Sequence, residues 1–252
     1  MREYLDIVYD GILLSDKNGI QISDSSGMFT ENFLANKKII EEKIRGRDEP
    51  YFYGVERDCI SFPLAFVFDE FLTEERKSEI ARLLDHDTYK PLHAEENPQR
   101  IYYAMCVDTP QHIHNGIQMG YVTLNFRTSS PYAYSPVFID RHDLSDNTDG
   151  EEIVIDNKGD IECKPRFEIT MLEDGDVSIR NISNMGNEMK FTNLQTNETV
   201  VIDCAQQDIE SDVTDRYENF NDEFISLREY SKNHLIVQGK CILKIKYQFK
   251  FK

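Results

Sequence analysis

His112 and His114 are the first residues to test for chemistry. One residue apart, they fall on the same side of an extended strand, which is half of a metal site. No third ligand stands nearby, so the pair reads as polar residues of a hairpin. The five cysteines, Cys59, Cys106, Cys163, Cys204 and Cys241, are odd in number and contain no Cys-x-x-Cys. Three of them, Cys106, Cys204 and Cys241, sit in apolar, strand-like runs. They read as small buried hydrophobes of a reduced compartment rather than as a redox or metal centre. Ser145-Asp-Asn-Thr-Asp-Gly150 looks like the first half of a calcium loop, but an EF-hand needs Asp first and Glu twelfth, where this chain has Ser145 and Asp156. The paired carboxylates Glu74-Glu75, Glu95-Glu96 and Glu151-Glu152 are adjacent in sequence, as in any acidic protein, whereas glycosidase carboxylates are defined by separation in space. There is no Gly-x-Ser-x-Gly, P-loop, Gly-x-Gly-x-x-Gly or His-Glu-x-x-His. The expected set of catalytic residues, metals and cofactors is therefore empty, and the chain is not expected to be an enzyme.

Composition narrows the partners. The formal net charge is −18 over 252 residues. Nucleic-acid affinity comes mainly from Lys and Arg on phosphates, so no specific nucleic-acid binding is expected. Apolar residues make up 40% and aromatics 11%, enough to bury a core. No stretch approaches the roughly 20 apolar residues that span a bilayer, so no membrane insertion is expected. MREYLDIVYD lacks the basic start and apolar core of a signal peptide, which places synthesis in a cytoplasm. Without such a signal, the sequons at Asn181 and Asn197 are not expected to be glycosylated.

The elements that would position side chains are mostly strands. Residues 1–30 alternate weakly and break at Asp16-Lys-Asn-Gly19, which reads as strand, turn, strand. Residues 31–45 fit either an amphipathic helix or a strand, and Gly46 to Pro50 form a turn. The spacing predicts one clear helix, Thr73 to Leu84. Thr73 is its N-cap, Glu74 and Glu75 oppose the helix dipole, and Ile80, Leu83 and Leu84 form an apolar face. Arg100–Val107 and Tyr121–Phe126 read as strands, with Asn115-Gly116 as a hairpin signal between them. Pro131 and Pro136 bracket Tyr132, Ala133, Tyr134 and Ser135 in an extended corner. The polar run 137–152 reads as a linker or exposed loop. From Ile153 onward, short strands separated by Asp-Gly and Asn-rich turns indicate an antiparallel β-sandwich.

The terminal strand alternates most cleanly. Cys241, Leu243, Ile245, Tyr247, Phe249 and Phe251 face one way, and Lys244, Lys246, Lys250 and Lys252 the other. The four lysines either protect an edge or a solvated face, or meet an acidic neighbouring subunit.

The order of these segments resembles the distal tail protein (Dit) family of long-tailed, siphovirus-type bacteriophages. YDGILLSDKNGIQIS is similar to the family's opening, and GRDEPYFYGVERDCISFPLAFVFDEF to its next block. ARLLDHDTYKPL followed by RIYYAMCV resembles its helix-plus-strand core, and FRTSSPYAYSP the corner that ends its first domain. IVIDNKGDIECKPRFEITMLEDGDVSIRNI resembles the start of its second domain; TVVIDC and FISLREYSKNHLIVQGKCILKIKYQFKFK resemble its closing strands. The likeness covers essentially the whole chain. One departure is Leu227-Arg-Glu-Tyr-Ser-Lys-Asn233, where such proteins often carry Leu-x-x-Gly-x-Asn.

The resemblance implies a mainly β fold. A ring-forming N-terminal domain with one helix, 1–136, would be followed after residues 137–152 by a galectin-like sandwich, 153–252, with the interdomain corner at Pro131, Tyr132, Tyr134 and Pro136. It implies a homo-hexameric hub of a tail tip or baseplate, with a channel for DNA. The implied partners are the major tail tube protein, the tail-tip or tail-associated lysin protein, the tape measure protein and receptor-binding proteins, all in the virion tail tip. The competing reading is a carbohydrate-binding adsorption module. Sugar sites often stack a ring on Trp, and this chain has none, nor the His-x-Asn-Pro-Arg and Trp-Gly residues of true galectins.

Overall fold

The computed structural model describes residues 6–14, 20–22, 35–68, 73–108, 112–114 and 120–252. The chain divides into two compact units, the first running to Tyr134 and the second from Ser135 to Phe251.

The first unit is built on an antiparallel sheet. Its strands are β1 (Ile7–Tyr9), β2 (Ile12–Leu13) and β3 (Ile20–Ile22), then, past a separate pair β4 (Lys37–Glu42) and β5 (Tyr51–Arg57), β6 (Ser61–Phe68), β7 (Lys90–Ala94), β8 (Tyr102–Val107), β9 (His112–His114) and β10 (Gly120–Thr128). The order across the sheet is β2-β1-β7-β8-β10-β6-β3, with β9 also on β10. A short β11 (Ala133–Tyr134) ends the unit. The first strand turns at Asp10-Gly11, both at positive φ, so that Tyr9 faces Ile12. That is the Asp-Gly hairpin turn, read over in the sequence in favour of a turn at 16–19, which lies outside the described residues.

Helix α1 (Glu74–Leu84) begins as its sequence predicts. Thr73 Oγ1 accepts the Arg76 N–H at 3.2 Å, and Glu74 and Glu75 occupy the first turn. Ile80 and Leu84 are buried with Tyr9, Phe66, Leu92 and Phe126 in one apolar cluster. The Tyr9 ring meets Phe126 edge-on at 5.5 Å and donates its hydroxyl to the Ala104 carbonyl, the partner a buried phenol needs.

The second unit contains two antiparallel sheets. Its strands are β12 (Phe138–Asp143), β13 (Glu151–Asn157), β14 (Arg166–Met171), β15 (Gly175–Asn181), β16 (Asn187–Leu194), β17 (Thr199–Asp203), β18 (Asp208–Ser211), β19 (Ser231–Gln238), β20 (Cys241–Tyr247) and β21 (Lys250–Phe251). One sheet runs β12-β20-β14-β17-β18 and the other β13-β19-β15-β16. Each buries one face. Phe167, Ile169, Val200, Leu243 and Ile245 line the first; Ile155, Ile179, Phe191, Leu235 and Val237 line the second. This period-2 burial is the alternation read from the sequence.

The stretch expected to be a linker is mostly structured. Phe138–Asp143 forms β12 and pairs with β20 from Phe138↔Tyr247 to Asp143↔Ile242. Its inward positions are Phe138, Asp140 and His142, so polar residues hide the strand from a hydrophobicity reading. Only residues 144–150 form a turn, held by Asn147. Its Nδ2 donates to Val237 O and Gly239 O, and its Oδ1 accepts the Gly150 N–H.

Candidate functional site

The corner residues lie where the chain passes between units. On the first side, Pro131, Tyr132 and Tyr134 are half-buried and Ala133 is buried. Tyr134 exchanges both backbone hydrogen bonds with Ile101, each 2.8 Å, and its ring meets Tyr103 edge-on at 5.4 Å. Thr128, 1% exposed, closes the turn beneath them: its hydroxyl accepts the Ile60 N–H and lies 2.6 Å from Ser130 O. On the second side, buried Ser135 takes over. Its N–H donates to Phe249 O, its Oγ accepts the Phe249 N–H, and its carbonyl accepts Gln248 Nε2. Pro136 is half-buried. The corner is thus tied by Tyr134 to Ile101 within the first unit and by Ser135 to Phe249 and Gln248 within the second.

The lysine strand divides differently from the expected pattern. Lys244 and Lys246 lie on β20, an interior strand between β12 and β14, so they do not guard an edge. Lys250 lies on the separate β21, and Lys252 follows it. Register places Arg141, Lys244, Glu168, Val201 and Glu210 in one row across the outer face of the sheet, and Ile139, Lys246, Arg166, Asp203 and Asp208 in the next. Cations therefore gather on β12 and β20 and carboxylates on β17 and β18, while β14 between them carries one of each, Arg166 and Glu168. Lys244 Nζ pairs with Glu168 Oε2 at 3.0 Å, both groups being more than two-fifths exposed. A small cleft of about 80 Å³ lies at the acidic end, lined by Arg166, Val201, Asp203, Gln206, Asp208 and Glu210. It contains no aromatic ring on which a sugar could stack.

The remaining chemical candidates resolve into structural roles. His112 and His114 fall on β9, their side chains outside the described residues, as is Asn115-Gly116. The calcium-like loop instead turns on Asn147, whose amide is spent on backbone groups. Among the described residues no cluster of His, Cys, Asp and Glu is arranged to hold a metal ion. All five cysteines are free thiols. Burial pushes Cys204 up to about 12 and Cys241 up to about 11, so neither is a thiolate at neutral pH. Asn181, the first sequon residue, is fully buried; its Nδ2 donates to Ser226 O and Asn233 Oδ1.

The groups that sequence reasoning missed are buried polar ones. Glu198, 0% exposed, forms a two-pronged pair with Arg216: Nε to Oε1 at 2.6 Å and Nη2 to Oε2 at 2.5 Å. The Gln195 N–H and the Ser211 hydroxyl complete its shell. Burial by itself raises this carboxyl; the hydrogen bonds from Arg216, Gln195 and Ser211 outweigh it and hold the group below the ordinary carboxylate range. Tyr230 takes a positive φ of +47, with its hydroxyl on Asp160. Asn157 ties Leu227 O and Ile161 O to the turn at Gly159, where an added Cβ would lie 2.7 Å from Lys250 O. Asn157-x-Gly159 is thus a packing motif.

Two β units thus follow one another along the chain. Residues 3–130 match the family model described as phage tail protein N-terminal domain, and residues 132–247 the one described as phage tail C-terminal domain. The chain belongs to this phage tail protein family. The SPbeta prophage-derived uncharacterized protein YomH of Bacillus subtilis (strain 168) is 27% identical over 253 residues, covering 100% of this chain and 99% of that protein. Among solved structures, SPP1 Dit, described as a paradigm of the hub adsorption apparatus in phages infecting Gram-positive bacteria, superimposes with a TM-score of 0.71 at 15% identity. The match covers 99% of this chain and 100% of that one. A chain of the phage P2 baseplate in its activated conformation gives a TM-score of 0.50 at 12% identity, over 97% and 98%. The fold is therefore the mainly β fold of Dit, as the resemblance implied.

Proposed function

We propose that this chain is the structural, non-enzymatic hub of a phage tail tip. Six copies form a ring through their first units, joining the tail tube to the tail-tip and receptor-binding proteins and leaving a channel for DNA. The observation that carries this reading is the likeness to SPP1 Dit over both units together, 99% of the chain. A fold does not fix a function, so the physics of the surface matters as well. A net charge of −18 per chain suits a conduit that must not grip phosphate. Identical copies placing one surface against a different one close into a ring. The second unit, which we read as galectin-like, faces outward and carries Lys244 and Lys246 toward an acidic neighbour.

Co-expression with the tail tube and tail-tip proteins of the same phage tests the role. The expected result is a co-purifying complex of all three and no specific signal on a glycan array. Strong, saturable binding to cell-wall sugars without either tail partner would overturn it in favour of a carbohydrate-binding adsorption module.

A further inference from the structure

The two sheets of the second unit end in β12, β18, β13 and β16. An edge strand presents a row of unpaired N–H and C=O groups, and native sheets blunt it against pairing with other chains. Along β16 a side chain fills the row: Asn221 Oδ1 accepts the Lys190 N–H, its own N–H donates to Lys190 O, and its Nδ2 donates to Glu188 O. Strand β18 is short and carries Asp208 and Glu210. Strand β13 sets Glu152 and Asp156 on its exposed side. Strand β12 has neither a plug nor a guard of carboxylates along its middle. Its exposed positions are Ile139, Arg141 and Asp143, preceded by Val137. Ile139 is 57% and Val137 44% exposed.

The ladder fixes which backbone groups this edge offers. In an antiparallel pair, alternate residues exchange hydrogen bonds with the strand opposite. The β12–β20 register runs on to Leu144, whose N–H donates to Cys241 O at 3.0 Å. Phe138, Asp140 and His142 therefore bond to β20, and the N–H and C=O groups of Ile139 and Arg141 point the other way. Among the described residues no strand meets them. The side chains of the same two residues lie on the outer face, beside Lys246 and Lys244 of β20. Lys244 is paired with Glu168, whereas Arg141 and Lys246 form no ion pair among the described residues. Asp143, the outer carboxylate of β12, accepts the Ser145 N–H. A strand laid along β12 thus meets two demands. It must bond the backbone of Ile139 and Arg141, and it must set a carboxylate beside Arg141 and, two residues on, an apolar side chain beside Ile139. A phosphate polymer answers the cations and leaves the backbone row bare; an acidic peptide answers both.

We propose that β12 is a docking edge, to which an extended acidic segment of another tail protein adds as a further strand, its carboxylate held by Arg141 with Lys244 and Lys246 behind it. The inference rests on the hub reading above and gives the chemistry of one of its contacts. Fluorescence polarisation of a labelled peptide, Thr-Asp-Thr-Val-Thr-Asp-Thr, with the full-length protein tests it, together with amide exchange read residue by residue by NMR. The expected result is saturable binding, with none to the same peptide carrying Lys for Asp. The Ile139 and Arg141 amides slow on binding, while those of Phe138, Asp140 and His142, already bonded to β20, do not change. Arg141→Glu weakens binding by about tenfold to a hundredfold. Ile139→Pro removes an outward N–H and no ladder bond, and weakens it by about fivefold. No binding overturns the edge. So does a peptide that binds Ile139→Pro as well as wild type, or that leaves the Ile139 and Arg141 amides unchanged, or that inorganic polyphosphate matches in affinity and displaces. Amides of Ile139 and Arg141 that are protected in concentrated protein alone and open on dilution assign the edge to a second copy, which overturns the acidic partner. Should Ile139→Pro fail to fold, amide exchange in the wild-type chain still decides. The ring is read from native mass, which this peptide does not test, so the two readings fail separately.

Discussion

At the scale of single residues, the strongest constraint is the buried Glu198–Arg216 pair. Two charges out of water are tolerated only because each is fully hydrogen-bonded, and removing one strands the other. Glu198→Gln is therefore expected to cost about 3–5 kcal/mol in chemical denaturation at neutral pH. Replacing both residues by apolar ones of similar size should cost far less. The pH dependence follows from the sign of the shift. The folded carboxyl titrates below its unfolded value, so its stabilisation is complete above the ordinary glutamate range near pH 4.5. It is lost as pH falls through the lower, folded value. Wild-type stability should thus drop steeply on acidification through that window, and Glu198→Gln should drop less. Equal slopes in the two proteins would show that the pair does not govern acid lability. Sequence reading could not find it, because the partners are 18 residues apart in loops and only the fold brings them together.

At the scale of elements, legibility tracked amphipathicity. Helix α1 announced itself through Thr73, two glutamates and an apolar face, and β20 through strict alternation, because each has one buried side. Strand β12 did not, since Asp140 and His142 take inward positions where apolar residues are the signal. The hairpin β4–β5 has two exposed faces and so no alternation to read. The lysine alternation is legible as a face, whereas the choice between an edge and a solvated face is not: pairing order is a property of the whole sheet, and one strand's sequence does not contain it. The corner was seen as extended from its prolines, whereas its ties to Ile101 and Phe249 are long-range and invisible in sequence. A measurable consequence concerns the lysines. Lys244→Ser with Lys246→Ser should change stability by less than about 1 kcal/mol, because a solvent-screened pair contributes little. If the face meets an acidic neighbour, the same change should flatten the salt dependence of assembly. An unchanged salt dependence would restrict these lysines to solvation.

At the scale of the molecule, two β units in one chain and membership of a phage tail family point to a part whose work is to be assembled. The central claim is the ring. Native mass by size-exclusion chromatography with light scattering, followed by negative-stain imaging of the peak, tests it most directly. The expected result is six times the 29.5 kDa chain and ring-shaped particles with a central opening, from the protein alone or once the tail tube protein is added. A single-chain mass that persists in the presence of that partner, with no rings on the grid, would contradict it.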